Sequence, residues 1–146
     1  MLKKLMSTSN DVAFTMVRLV LGVVFFAHGA QKMLGWFGGY GLHGTVGYLT
    51  HGVGLSTPVA YLVICTEFFG GLGLILGLLT RIAALGIGGE MVGAIFLIHL
   101  PNGFFMNWAG TQKGEGIEYH LLAIAVAGVL LLRGAGAFSL DRTLSK

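Results

Sequence analysis

The stretch VAFTMVRLVLGVVFFAHGAQKML, residues 12–34, decides how the chain folds. It is long enough to cross a bilayer, where an α-helix needs about 20 mostly apolar residues. Yet it carries Arg18, His28, Gln31 and Lys32. An ionisable group at membrane depth costs about 2.5 to 3.5 kcal/mol or more, so each one needs a partner, a water-filled cavity or a route to the interface. On a helix, Arg18, Phe25 and Lys32 fall on one side, with His28 and Gln31 close by. That side cannot face lipid, so the rest of the chain has to form a bundle around it.

The composition points the same way. Of 146 residues, 55% are hydrophobic and 10% charged, whereas soluble domains carry about 25% charged residues. The reading is an integral membrane protein of one domain, 1–146, with lipid as its first partner. The net charge of +3 does not point to nucleic acid, because the basic residues are scattered at segment ends, as membrane topology requires. A single cysteine, Cys65, excludes an internal disulfide and a CxxC redox pair. It reads as a small packing residue. Met1–Asp11 begins like a secretory signal, but the apolar run is too long and lacks a convincing cleavage site. An uncleaved first helix capped by Asn10 or Asp11 is expected.

Working outward, Gly35–Thr57 is too polar and too glycine-rich to span. Leu42, Val46, Leu49 and Val53 recur at helical spacing, which predicts a short interfacial helix. Trp36, Phe37, Tyr40 and Tyr48 suit a headgroup-level aromatic belt. Pro58, after Ser56 or Thr57 as cap, opens a second helix, 58–79, with Glu67 near its middle. A tight turn leads to a third helix, 82–100, with Glu90 inside and His99 at its close. A second exposed loop and a fourth helix, 117–132, follow, with Glu118 and His120 in its first turn. GAGAFSLDRTLSK reads as a polar tail. The fold class is all-α, an integral membrane four-helix bundle with a short interfacial helix in the first outer loop. Lys3, Lys4, Arg81, Arg133, Arg142 and Lys146 then share one end, against Lys32 and Lys113 at the other. The positive-inside rule makes the chain multi-pass with both termini cytoplasmic.

Sorting by depth brings acidic groups level with the basic ones of the first helix. Arg18 with Glu90, and Lys32 or His28 with Glu67 or Glu118, are the expected pairings. One reading makes them pins that fix the helix arrangement. The other gathers Arg18, His28, Lys32, Glu67, Glu90, His99, Glu118 and His120 into a polar ligand-binding pocket open to the outer side. Phe25, Phe26, Phe68, Phe69, Phe96 and Trp108 would wall it. Such a pocket suits a small amphipathic ligand, with a quinone headgroup the obvious case, and His28, Glu67 or Glu118 would hydrogen-bond it or shuttle protons. A metal site from the same histidines and glutamates lacks ligand spacing such as HxxxH. GGYGLHG follows no strand and is no nucleotide loop. Gly73/Gly77 and Gly89/Gly93 form GxxxG patterns suited to internal packing or dimerisation.

Arg18, then FFAHGAQK with His28, Gly29 and Lys32, then Glu67 before GGLGLILGLLTR, then GAGAFSLD with Asp141, follow one another in an order that resembles the DoxX family of small bacterial membrane proteins. The resemblance covers essentially the whole chain. It implies a four-helix protein of the bacterial cytoplasmic (inner) membrane tied to membrane redox: a thiosulfate:quinone oxidoreductase subunit, quinone or catechol stress, or oxidative-stress complexes. Related bundles that use cysteine pairs are no guide, because only Cys65 is present. Three functions follow. The first is a quinone- or small-phenol-binding accessory subunit of an oxidoreductase system, since the chain has no electron carrier at recognisable spacing. The second is a non-catalytic scaffold that anchors redox or stress-response partners. The third is a small transporter or channel, which four short helices would build only as a homo-oligomer.

Overall fold

Asp11 caps the first long helix. Its carboxylate accepts the Ala13 amide at 2.8 Å, and Gly35, left-handed at φ 73°, ends the helix with its N–H on the Ala30 carbonyl. The computed structural model describes residues 2–145. Lys146 and the side chain of Lys4, both used for the expected orientation, lie outside the described residues.

The chain is an integral membrane helical bundle, with no strand among the described residues. Helix α1 is Leu2–Met6 and α2 is Val12–Leu34. The interfacial helix α3, Gly41–Gly47, runs on through a π-helical turn, Tyr48–Gly52. Then come α4, Thr57–Leu76, and α5, Thr80–Asn102. Helices α2, α4 and α5 are each long and apolar enough to cross a bilayer. Helix α6, Glu118–Arg133, has 16 residues, about 24 Å at about 1.5 Å per residue. A short α7, Leu140–Ser145, closes the described chain.

Glycine sets the spacing of α2 against α4. A Cβ at Gly22 would stand 2.9 Å from Leu74 Cβ and Ile75 N, one at Gly29 would strike the Phe68 backbone, and one at Gly71 the Phe26 backbone. The two antiparallel helices therefore touch backbone to backbone, as small residues permit in membranes. Leu21, Phe25, Leu74, Ile87, Met91 and Leu130 fill the core between α2, α4, α5 and α6. A second cluster, Leu49 with Ala60 and Ile64, seats α3 on α4.

Helix α4 stops at Leu76, three residues short of the expected end, because Gly77 turns left-handed at φ 66°. Helix α5 has no capping side chain in its own segment. Asp141 supplies one from the tail. Its carboxylate accepts Leu79 N at 2.7 Å and Thr80 N at 2.9 Å, and its own N–H donates to Gly77 O at 2.8 Å. The tail expected to be merely polar is thus built in, with Ala135 and Asp141 both buried. Asp141→Ala is expected to cost about 1 to 2 kcal/mol, and Asp141→Asn less, as read by thermal unfolding in detergent.

Arg18 corrects one expected pairing. It is fully buried but does not meet Glu90. Its guanidinium donates to the carbonyls of Leu74, Ile75 (2.8 Å), Ala135 (2.9 Å) and Phe138 (2.6 Å). The last turn of α4 leaves carbonyls without helical partners, at the end where a cation is favoured. A planar fork of donors can reach these and the tail together.

Two π-helical turns interrupt the long helices: Thr66–Gly70 in α4, which holds Glu67, and Ile95–His99 in α5, which holds His99. From their hairpin, α4 and α5 stay in contact as far as Thr66–Gly70 and then part. The functional candidate lies in the gap.

Candidate functional site

A cavity of about 880 Å³ opens between α2, α4, α5 and α6, under α3. Ligand pockets run from about 300 to 1,000 Å³. Its polar floor begins with Lys32, in the last turn of α2. Side chains on a helix lean toward its N-terminus, so Lys32 reaches back into the bundle and its Nζ pairs with Glu67 Oε2. Glu67 is 3% exposed. This is the single ion pair among the described residues, and it is one of the pairings the helix depths suggest. Glu90 lines the same cavity.

His28 opens onto the cavity, its ring centroid 6.4 Å from that of Tyr119. Tyr119 and His120 enter from the first turn of α6. His120 is 5% exposed, and its ring lies 4.0 Å from that of His99, centroid to centroid. His99 Nδ1 stands 2.9 Å from the Glu115 carbonyl oxygen. Three buried polar atoms in these walls have no hydrogen-bond partner among the described residues: Glu90 Oε2, Tyr119 Oη and His120 Nδ1. The other walls are apolar or glycine. A Cβ at Gly89 or Gly93 would meet nothing within 4 Å. That GxxxG pair therefore packs against no helix among the described residues and borders open space instead, while Gly77 of the other pattern is a turn residue.

Of the residues grouped by sequence, His28, Lys32, Glu67, Glu90, His99, His120 and Phe25 line this cavity. The others do not. Arg18 is held at the opposite end of the bundle. The Glu118 carboxylate accepts the Met106 amide at 2.8 Å and folds the loop before α6 onto that helix. Phe68 packs on Phe26, ring centroids 5.2 Å apart, and on Phe69. Phe96 and Trp108 point outward, 70% and 88% exposed. Tyr119, which the sequence pattern does not single out, and Tyr48, expected in the aromatic belt, are lining aromatics as well. Tyr119 was findable: it stands between two residues already singled out. Among the described residues, no three His, Cys, Asp or Glu side chains gather as a metal-ligand set.

The sequence pattern of the DoxX family matches residues 13–100, more than half of the chain. The chain belongs to the DoxX family. The matched span holds Arg18, His28, Lys32, Glu67, Glu90 and His99, and Tyr119 and His120 lie beyond it. The chain is similar to "Inner membrane protein YqjF" of Escherichia coli (strain K12), 30% identical over 141 residues, covering 97% of this chain and 98% of that protein. It is similar to "Uncharacterized membrane protein Rv3486" of Mycobacterium tuberculosis, 32% identical over 148 residues, covering 98% and 88%. It is also similar to "Putative oxidoreductase CatD" of Bacillus subtilis (strain 168), 27% identical over 136 residues, covering 93% and 90%. No solved structure matches this DoxX chain.

Proposed function

We propose that this DoxX protein is a membrane redox component whose cavity binds the head of a quinone or a small phenol, acting as an accessory subunit of an oxidoreductase system. One observation carries the reading: Glu90 Oε2, Tyr119 Oη and His120 Nδ1 are buried without partners in the wall of one cavity. Leaving a buried polar group unsatisfied costs about 1 to 3 kcal/mol. A ring bearing a carbonyl and a hydroxyl oxygen offers a partner to Tyr119 and to one of the other two. A carbonyl oxygen accepts from the Tyr119 hydroxyl, and a ring hydroxyl donates to Glu90 or to His120 Nδ1. Phe25 and the aliphatic walls exclude water around the ring. A quinone bound there supplies the redox chemistry, and the electrons come from a protein partner, because the chain has no electron carrier at recognisable spacing. CatD's name supports the redox association, and YqjF's supports the inner membrane. Arg81 and Arg133 at the end that carries the termini favour that end as cytoplasmic.

Tyr119→Phe tests this. The hydroxyl has no partner among the described residues, so the variant is expected to unfold at the same temperature as the parent or slightly above it. Its affinity for a short-chain benzoquinone or a catechol, titrated in nanodiscs, is expected to fall about tenfold, or about 1.4 kcal/mol. A parent protein that binds neither compound overturns the reading.

A further inference from the structure

We infer that the ligand enters sideways from the bilayer through the gap between α4 and α5, and is therefore a membrane-dissolved molecule with an apolar tail behind its hydrogen-bonding ring. This rests on the cavity reading above and names the class of molecule it takes.

The gap begins where α4 and α5 part, beyond the π-helical turn Thr66–Gly70. On its rim, Leu62 of α4 and Leu85 and Leu97 of α5 line the cavity and are 64%, 61% and 57% exposed. Between them Gly89 is exposed, and a Cβ there would meet nothing. The mouth lies deep in the membrane. From Thr80 to Gly89 the helix rises about 14 Å at about 1.5 Å per residue, near the middle of a hydrocarbon core about 30 Å thick. Toward the loop end the cavity is roofed by Leu49 and Val53, with Met106 from the second loop.

A polar solute would have to cross hydrocarbon to use this side opening. A tailed one is already dissolved there. The buried end of the cavity supplies the other half of the recognition: His120 Nδ1, in a side chain more than nine-tenths buried, has no partner among the described residues. The ring then sits by Glu90, Tyr119 and His120. The tail leaves past Gly93 and Gly89, where side chains would obstruct it.

The probes are decylubiquinone and its tail-less parent, 2,3-dimethoxy-5-methyl-benzoquinone, titrated against the protein in nanodiscs with membrane partition subtracted. Decylubiquinone is expected to bind at least about tenfold more tightly, and Gly89→Phe or Gly93→Leu to weaken it about tenfold while the tail-less compound changes less than about threefold. A decylubiquinone analogue with a photoreactive tail, used on the unsubstituted protein, is expected to label the facing stretches 59–66 and 85–97. Equal affinity for the two probes, both insensitive to Gly89→Phe, overturns sideways entry and leaves the ring site standing. Binding of neither probe overturns both readings. Native mass spectrometry adds two further contrary outcomes: a phospholipid that decylubiquinone does not displace, or a dimer that Gly89→Phe dissociates, which would make the gap an interface between two copies.

Discussion

Arg18→Ala is expected to be the most destabilising single substitution in the chain, by at least about 3 kcal/mol. One guanidinium satisfies four carbonyl oxygens from two parts of the chain: Leu74 and Ile75 at the end of α4, and Ala135 and Phe138 in the tail. A hydrogen bond to a charged group contributes about 1.5 to 3 kcal/mol. Interhelical hydrogen bonds measured in membranes average nearer about 0.6 kcal/mol. Even at the lower figure, alanine removes the guanidinium from four carbonyls, of which Leu74 O keeps the Gly77 amide at 3.2 Å, and leaves a cavity the size of an arginine side chain. Arg18→Lys is expected to recover less than half of the loss, because a compact ammonium cannot reach α4 and the tail at once. Arg18→Ala and Asp141→Ala should fall short of additivity, since both free the segment 135–141 from the α4–α5 turn. Thermal unfolding in mild detergent reads all four proteins. An Arg18→Ala variant as stable as the parent would mean that the tail holds without the guanidinium.

What the sequence made legible, and what it hid, follows from the solvent. In water an apolar side chain has a reason to turn inward. In lipid it has none, so hydrophobicity does not distinguish core from periphery. The expected pocket wall includes Phe96 and Trp108, and both point outward. Charged residues carry the opposite information. Lys32 and Glu67 were legible as partners because neither is tolerated alone at depth. Arg18 was legible as inward-facing for the same reason, but its partners are backbone carbonyls, which leave no mark in a sequence. Glu118 was misplaced because its position in the first turn of α6 also suits a loop amide, here that of Met106. The π-helical turns at Thr66–Gly70 and Ile95–His99 were invisible as well. Each rotates the residues beyond it relative to an ideal helix, so faces counted at 3.6 residues per turn drift from those that form. Gly89 and Gly93 fit a packing motif equally well whether another helix or an open cavity faces them. Only the absence of any neighbour around them decides it.

The same ion pair also separates a pin from a working site. Lys32→Met is expected to cost about 3 kcal/mol, because it strands the buried Glu67 carboxylate; removing one partner of a fully buried pair costs about 3 to 5 kcal/mol, and Lys32 is partly exposed. Glu67→Gln should cost less, because the lysine can turn its charge toward the loop end. In the double variant Lys32→Met/Glu67→Gln no unpaired charge remains, and the stability measured by unfolding in detergent is expected to return to within about 1 kcal/mol of the parent. Binding should behave differently. If the pair forms the floor on which a ring oxygen is held, quinone affinity stays depressed by at least about tenfold in the double variant, although its fold has recovered. If the pair only fixes the arrangement of α2 and α4, affinity returns together with stability. That second outcome would make Lys32–Glu67 a structural pin and leave Glu90, Tyr119 and His120 as the whole of the polar site.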